Sequence, residues 1–95
     1  MDRVEAASTL SQHLAQYRGR SYNELSVLVD GPPETAEIVA PSGIRYQVEV
    51  LIVWDSKPGQ NIRVLGSIDD GGWRALMPQN DDFIMAPDGS FVGES

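Results

Sequence analysis

Two stretches of alternating polarity, residues 44–55 and 61–68, constrain the fold of this chain more than any other feature. The even positions of the first stretch are all apolar or aromatic: Ile44, Tyr46, Val48, Val50, Ile52 and Trp54. Its odd positions begin with a polar run, and a side-chain period of two is typical of a strand with one buried face. Residues 56–60, which contain a Pro-Gly pair, predict a turn. The sequence therefore predicts a long antiparallel hairpin.

Only one register of this hairpin keeps the apolar side chains together. With Asp55 opposite Asn61, Trp54 faces Ile62, Ile52 faces Val64 and Val48 faces Ile68, and all these pairs fall on one face. A slip of one residue would set Trp54 against Arg63 and mix the two faces along the whole ladder. We therefore predict the first register.

Residues 2–18 predict an amphipathic helix that Gly19 ends in a left-handed conformation. Its apolar stripe is expected to contain Val4, Ala7, Leu10, Leu14 and Tyr17. Ser21 and Glu24 have the spacing of a capping box, which predicts a second helix over residues 22–29. The apolar residues of that segment also alternate, which leaves a strand as the alternative.

The remaining strands are expected in the other alternating or apolar segments: 35–40, 73–77, 83–86 and 90–92. The pattern I-x-A-P-x-G occurs at residues 38–43 and again at 84–89, and it predicts the same tight turn used twice. These elements predict one α+β domain over residues 1–95. Two N-terminal helices would pack on one face of an antiparallel, meandering sheet of five or six strands.

The chain is acidic, with a net charge of −7, and residues 69–95 contain six acidic residues and one arginine. This balance argues against binding to nucleic acid, which needs clustered Lys and Arg. The absence of cysteine excludes disulfides and thiolate metal sites. No stretch has the pattern of a membrane span or a signal peptide, so we expect a cytoplasmic protein without membrane contacts.

Few residues offer catalytic or metal-binding chemistry. His13 is the only histidine, and no carboxylate lies three or four residues from it to orient a general base. The pairs Asp69-Asp70 and Asp81-Asp82 could supply oxygen ligands for Ca²⁺ or Mg²⁺. Adjacent aspartates point to opposite sides of an extended chain, however, and turn formation explains both pairs. We therefore expect no catalytic, cofactor or metal site, and we interpret these four aspartates as an acidic rim.

The strongest functional signal is a row of leucines on the second face of the sheet. In the predicted register this row and its neighbours are Leu51, Leu65 and Leu76, with Val53, Arg63 and Arg74 alongside. A contiguous apolar row on a sheet face is normally covered. The cover could be the C-terminal hairpin with its two phenylalanines, a second copy of the chain, or another protein.

From these observations we expect one of two functions. The first is a small binding or regulatory module that acts through protein–protein contacts, as a homodimer or with another protein. In size, acidity and α+β pattern the chain is similar to immunity proteins that neutralise toxins, a similarity of composition that transfers no residues. The alternative is a ligand-binding protein or enzyme with a pocket between helix and sheet. That pocket would involve Tyr46, Trp54, His13 or Arg63.

Overall fold

A computed structural model describes residues 2–72 and 78–94. Its elements, in chain order, are α1 (Arg3–Arg18), α2 (Tyr22–Leu28), β1 (Glu34–Val39), β2 (Arg45–Trp54), β3 (Ile62–Asp69) and β4 (Gln79–Met85). The strands form one open antiparallel sheet in the order β1-β2-β3-β4. The predicted α+β class is confirmed, whereas the described part of the sheet has four strands instead of five or six.

The central hairpin has the predicted register. Trp54 faces Ile62 and Ile52 faces Val64 across β2 and β3, so the even positions of both strands share one face. On the other side of β2, β1 pairs in the predicted register as well, with Ile38 opposite Tyr46. The alternation of the sequence was therefore sufficient to align three strands.

The fourth strand differs from the prediction. β4 begins at Gln79, inside a polar segment that we expected to be a break, and it pairs with β3 along its whole length. The predicted strand 73–77, including Trp73, lies outside the described residues. Residues 90–92 contribute an isolated bridge between Met85 and Phe91 instead of a strand.

Helix α1 lies on the predicted side of the sheet and buries Leu10, Leu14 and Tyr17 of the predicted stripe, whereas Val4 is exposed. Its buried residues are Ala6, Leu10, Leu14 and Tyr17. Val4 is 81% exposed, because Asp2 caps the helix and places Val4 in the first turn, where it faces solvent. Gly19 ends the helix with φ −80°, so the predicted left-handed end is wrong.

Residues 22–28 form a helix, which decides between the two predicted alternatives. The Ser21 hydroxyl accepts the N–H of Glu24 at 3.1 Å, and the Glu24 carboxylate accepts the N–H of Ser21 at 3.2 Å. This capping box is the predicted one. Beyond the helix, the N–H of Asp30 donates to the carbonyl of Ile52, which fixes the connection against β2.

The core lies between the helices and the even-numbered face of the sheet. It combines residues of α1 and α2 with residues of all four strands or their ends: Leu10, Leu14, Leu25, Ala40, Tyr46, Val48, Val50, Ile62, Val64, Ile68, Phe83 and Met85. Gly66 allows α1 to approach β3 closely. A Cβ atom at that position would lie 2.9 Å from Leu10 Cδ1 and 3.0 Å from Leu14 Cδ2.

The repeated I-x-A-P-x-G pattern forms the same turn at both sites, as predicted. In each copy the glycine N–H donates to the alanine carbonyl at 2.8 Å, for Gly43 to Ala40 and for Gly89 to Ala86. Both glycines have positive φ, +88° and +87°, a conformation that proline and most L-residues avoid. The first copy joins β1 to β2, and the second turns the chain back after β4.

Two tyrosines connect α1 and the sheet through carboxylates. The hydroxyl of Tyr17 donates to Glu34 at 2.6 Å, and the hydroxyl of Tyr46 donates to Glu5 at 3.0 Å. Burial, and then the hydrogen bond to the carboxylate, raises the pKa of each tyrosine to about 12. Both tyrosines therefore prefer the neutral form strongly in the folded protein.

This preference predicts alkaline unfolding. Because the folded pKa values of Tyr17 and Tyr46 exceed the ordinary value of 10.0, their contribution to stability is complete below pH 10.0 and is lost as the pH rises towards about 12. Absorbance at 295 nm should show two tyrosines ionising together with unfolding, and Tyr46→Phe should remove one of them. Reversible ionisation of all three tyrosines near pH 10 in a folded protein would contradict the prediction.

Candidate functional site

The predicted interface residues of β2 and β3 lie on the sheet face that points away from α1 and α2, because side chains alternate along a strand. Leu51 faces Leu65, and in the next row Val53 faces Arg63. Leu65 is 36% exposed, and Leu51 and Val53 are half-buried. We call this helix-free side the outer face.

The third member of the predicted leucine row is not found beside Leu65. The strand neighbour of Leu65 on β4 is Asp82, because residues 79–85 occupy the free side of β3. Leu76 and Arg74, which we predicted at this place, lie outside the described residues. In the described structure an acidic side chain therefore borders the two leucines.

A shallow groove of about 550 Å³ follows the outer face. Its lining consists of Glu49, Leu51, Leu65, Gly66, Ser67, Asn80, Asp81 and Asp82. A second depression of about 330 Å³ shares Glu49 and Ser67 with it and extends to Gln47, Asp69 and Pro78. The two depressions therefore lie next to each other along β2 and β3, and we call them together the outer groove.

Glu49 stands in the middle of the outer groove, opposite Ser67 on β3 and Thr35 on β1. Within the described part of the chain its carboxylate has no hydrogen bond or ion pair. One row further along, Asp69 accepts the N–H of Gly71 with one oxygen at 2.7 Å. Glu49 was not among the predicted interface residues, although its odd position next to Leu51 placed it on this face.

Arg63 lies on the outer face in the row next to Leu51 and Leu65. Its Nε donates to Asp55 at 3.0 Å, and a terminal nitrogen donates to Asp82, so the side chain connects the residue after β2 with β4. Hydrogen bonding to Asp55 raises the pKa of Arg63 above its usual value. The charge of Asp82 is thereby compensated locally, and the other acidic groups of the outer groove are Glu49, Asp69 and Asp81.

The other two residues of the predicted acidic rim have different surroundings. The negative charge of Asp70 makes a minor contribution to the raised pKa of Tyr46, after burial, Glu5 and Asp2. Asp81 borders the outer groove, and its carboxylate accepts the N–H of Asp82 at 2.9 Å.

The C-terminal segment covers the helix side and not the leucines. Phe83 is buried in the core, and the ring of Phe91 packs edge-on against it with centroids 5.6 Å apart. The guanidinium of Arg18 lies over both rings, at 4.6 Å and 4.9 Å, and pairs with Glu94 at 2.8 Å. The C-terminal segment was one of three candidates for covering the leucines of the outer face. Residues 78–94 do not cover them.

The residues of the alternative pocket do not come together. Tyr46 is fully buried under α1, whereas Arg63 lies on the opposite face of the sheet. His13 packs its ring against Tyr17 at a centroid distance of 5.9 Å, and Trp54 lies half-buried at the end of β2. The described residues thus provide no cavity that these four side chains share.

Within residues 2–72 and 78–94, no three histidine or acidic side chains are grouped as a metal ion would require. Neither described helix has the length and apolar character needed to cross a lipid bilayer.

No protein-family model matches the chain, and neither a curated protein nor a solved structure does so. The function is therefore inferred from the geometry of the outer groove.

Proposed function

We propose that this chain is a protein-binding module whose outer groove receives a basic segment of another protein. The observation that carries the proposal is the position of Glu49, a carboxylate without a partner among the described residues, beside the half-exposed pair Leu51 and Leu65. An apolar floor with a few charged groups at its border is the composition expected of an interface. A cation from the partner would satisfy Glu49 while an apolar side chain covers the leucines.

Electrostatics favour a basic protein partner. No cationic side chain is among the described residues that line the outer groove. Arg63, in the row beyond the leucines, is already paired with Asp55 and Asp82. The net charge of −7 adds a long-range attraction for basic partners, which accelerates association and weakens as salt screens it. An immunity-like protein that blocks a basic surface on a toxin would be one form of this function.

Self-association is less favourable on the same observations. A two-fold dimer through the outer face would use the same patch twice and bring the acidic groups of both grooves towards each other. Such an arrangement would bury Leu51 and Leu65 but place Glu49 and Asp69 close to like charges. We therefore prefer a different, basic partner to a second copy.

A peptide selection tests this function. Random twelve-residue peptides displayed on phage should be selected on the immobilised protein, and the enriched peptides should combine Lys or Arg with apolar residues. Their binding should weaken about tenfold on Glu49→Gln, in line with the loss of one charge pair in an interface. Association rates should fall between low and physiological salt.

The control is Gln16→Lys on the exposed side of α1, which changes the net charge by the same amount as Glu49→Gln and should leave binding unchanged. Enriched peptides without basic residues, or equal binding to the Glu49→Gln variant, would refute the proposal. So would sedimentation of the wild-type protein as a dimer that Leu65→Glu converts to a folded monomer, because that result assigns the outer face to self-association.

A further inference from the structure

The outer groove is built from three rows of facing side chains, one pair from β2 and β3 in each row. The rows are Leu51 with Leu65, Glu49 with Ser67, and Gln47 with Asp69. Successive rows are two residues apart along each strand, so they are separated by about 6.6–6.8 Å. Along the groove, one apolar row is followed by two rows that each contain one acidic residue, and the distance between neighbouring rows is constant.

This interval selects between an extended and a helical ligand. An extended chain laid along β2 and β3 presents every second side chain to the groove with the same interval of about 6.6–6.8 Å, so it stays in register over all three rows. A helix rises about 1.5 Å per residue, and its same-face positions four and eight residues on lie about 6 and 12 Å away. From the first row to the third, the side chains of a helix therefore span a distance more than 1 Å shorter than the one that the groove spans.

The chemistry of each row defines what the ligand must carry. Leu51 and Leu65 require an apolar side chain, and Glu49 attracts a cation. Asp69 can attract a second cation, because only one of its carboxylate oxygens accepts a hydrogen bond from a described residue. At the opposite end, the row beyond the leucines contains Val53 and Arg63, and Arg63 is already paired with Asp55 and Asp82, so this row offers no free carboxylate to a cation. The groove therefore discriminates the order of the three side chains as well as their charge.

We infer that the outer groove recognises an extended segment of a partner protein in which one apolar residue and two Lys or Arg residues alternate with residues that point away. This inference rests on the proposed function and names the ligand of the same site. The row order fixes the apolar residue at one end of the motif. The three rows do not determine whether the ligand runs parallel or antiparallel to β2, because an extended segment can present the same three side chains in either direction.

Synthetic nine-residue peptides test the spacing. One peptide carries Leu, Arg and Arg at alternate positions separated by serine, a second carries the reversed order, and a third carries the same residues contiguously. Titrations monitored by amide chemical shifts of the full chain should place the ligand on β2 and β3. The better of the two alternating peptides should bind about tenfold more tightly than the contiguous isomer, since the latter turns one cation away from the groove.

A charge exchange tests the assignment of Glu49. The Glu49→Arg variant should lose the alternating peptide and gain a peptide in which the middle arginine is replaced by glutamate. The amide spectrum of α1, which lies on the opposite side of the sheet, reports whether the variant is folded.

The possible failures are distinguishable. If the alternating and contiguous peptides bind equally and both weaken on Glu49→Gln, the ligand is basic but not extended, so this inference is overturned while the proposed function stands. If the exchanged peptide does not bind the folded Glu49→Arg variant, Glu49 does not contact the middle cation and the inference is likewise overturned. If no basic peptide binds, both are overturned.

Discussion

Replacement of Leu10 by alanine is expected to lower the free energy of unfolding by about 2–5 kcal/mol. Leu10 is fully buried between α1 and the sheet, where its side chain lies over Gly66. The smaller side chain would leave a cavity at the closest contact between the two layers. Urea denaturation of wild-type and variant protein, followed by circular dichroism, measures the difference.

Val4→Ala is the matched control, because Val4 belongs to the same helix and is 81% exposed. Its effect should stay within about 0.5 kcal/mol, as for most surface substitutions. A loss on Val4→Ala as large as that on Leu10→Ala would show that Val4 is buried, as the predicted stripe has it, and would contradict the described structure.

A second large effect is expected at Gly66. Valine at this position is expected to cost about 1–3 kcal/mol, because an added side chain meets buried leucines that have no free space to move into. The smaller Gly66→Ala change already places a Cβ 2.9 Å from Leu10 Cδ1 and 3.0 Å from Leu14 Cδ2. Thermal unfolding should show the order wild type, Gly66→Ala, Gly66→Val.

Two further variants make this explanation specific. Gly19→Ala should be nearly neutral, because the nearest atom to an added Cβ there is 3.7 Å away and φ is already negative. Combining Gly66→Ala with Leu14→Ala should cost less than the sum of the two single changes, since the truncated leucine makes room. Strict additivity would show that the close approach does not cause the loss.

The sequence predicted the parts of the fold that depend on alternation and on capping. The period of two aligned β1, β2 and β3, and the spacing of Ser21 and Glu24 located the start of α2. Both patterns involve residues close together in the sequence. Alternation is satisfied by a strand with one buried face, and the Ser21 and Glu24 spacing by a capping box. The same alternation correctly predicted that Leu51 lies opposite Leu65 on the outer face.

The missed features depend on long-range contacts. Residues 79–82 read as a polar break because Asn and Asp have low strand propensity, yet pairing with β3 and the contact of Asp82 with Arg63 make them a strand. The sequence therefore did not predict that Asp82 lies beside Leu65.

An open sheet of four strands has two free edges, and each edge could template pairing with other copies of the chain. Pro32 and Pro33 precede β1, and Glu34 and Glu37 place charge along it. At the other edge, the segment after β4 turns back and bonds through Val92 to Ile84, so only the polar start of β4 is left unpaired among the described residues. These features oppose edge-to-edge aggregation and domain swapping, which leaves the flat outer face, and not the sheet margins, as the surface open to specific contact.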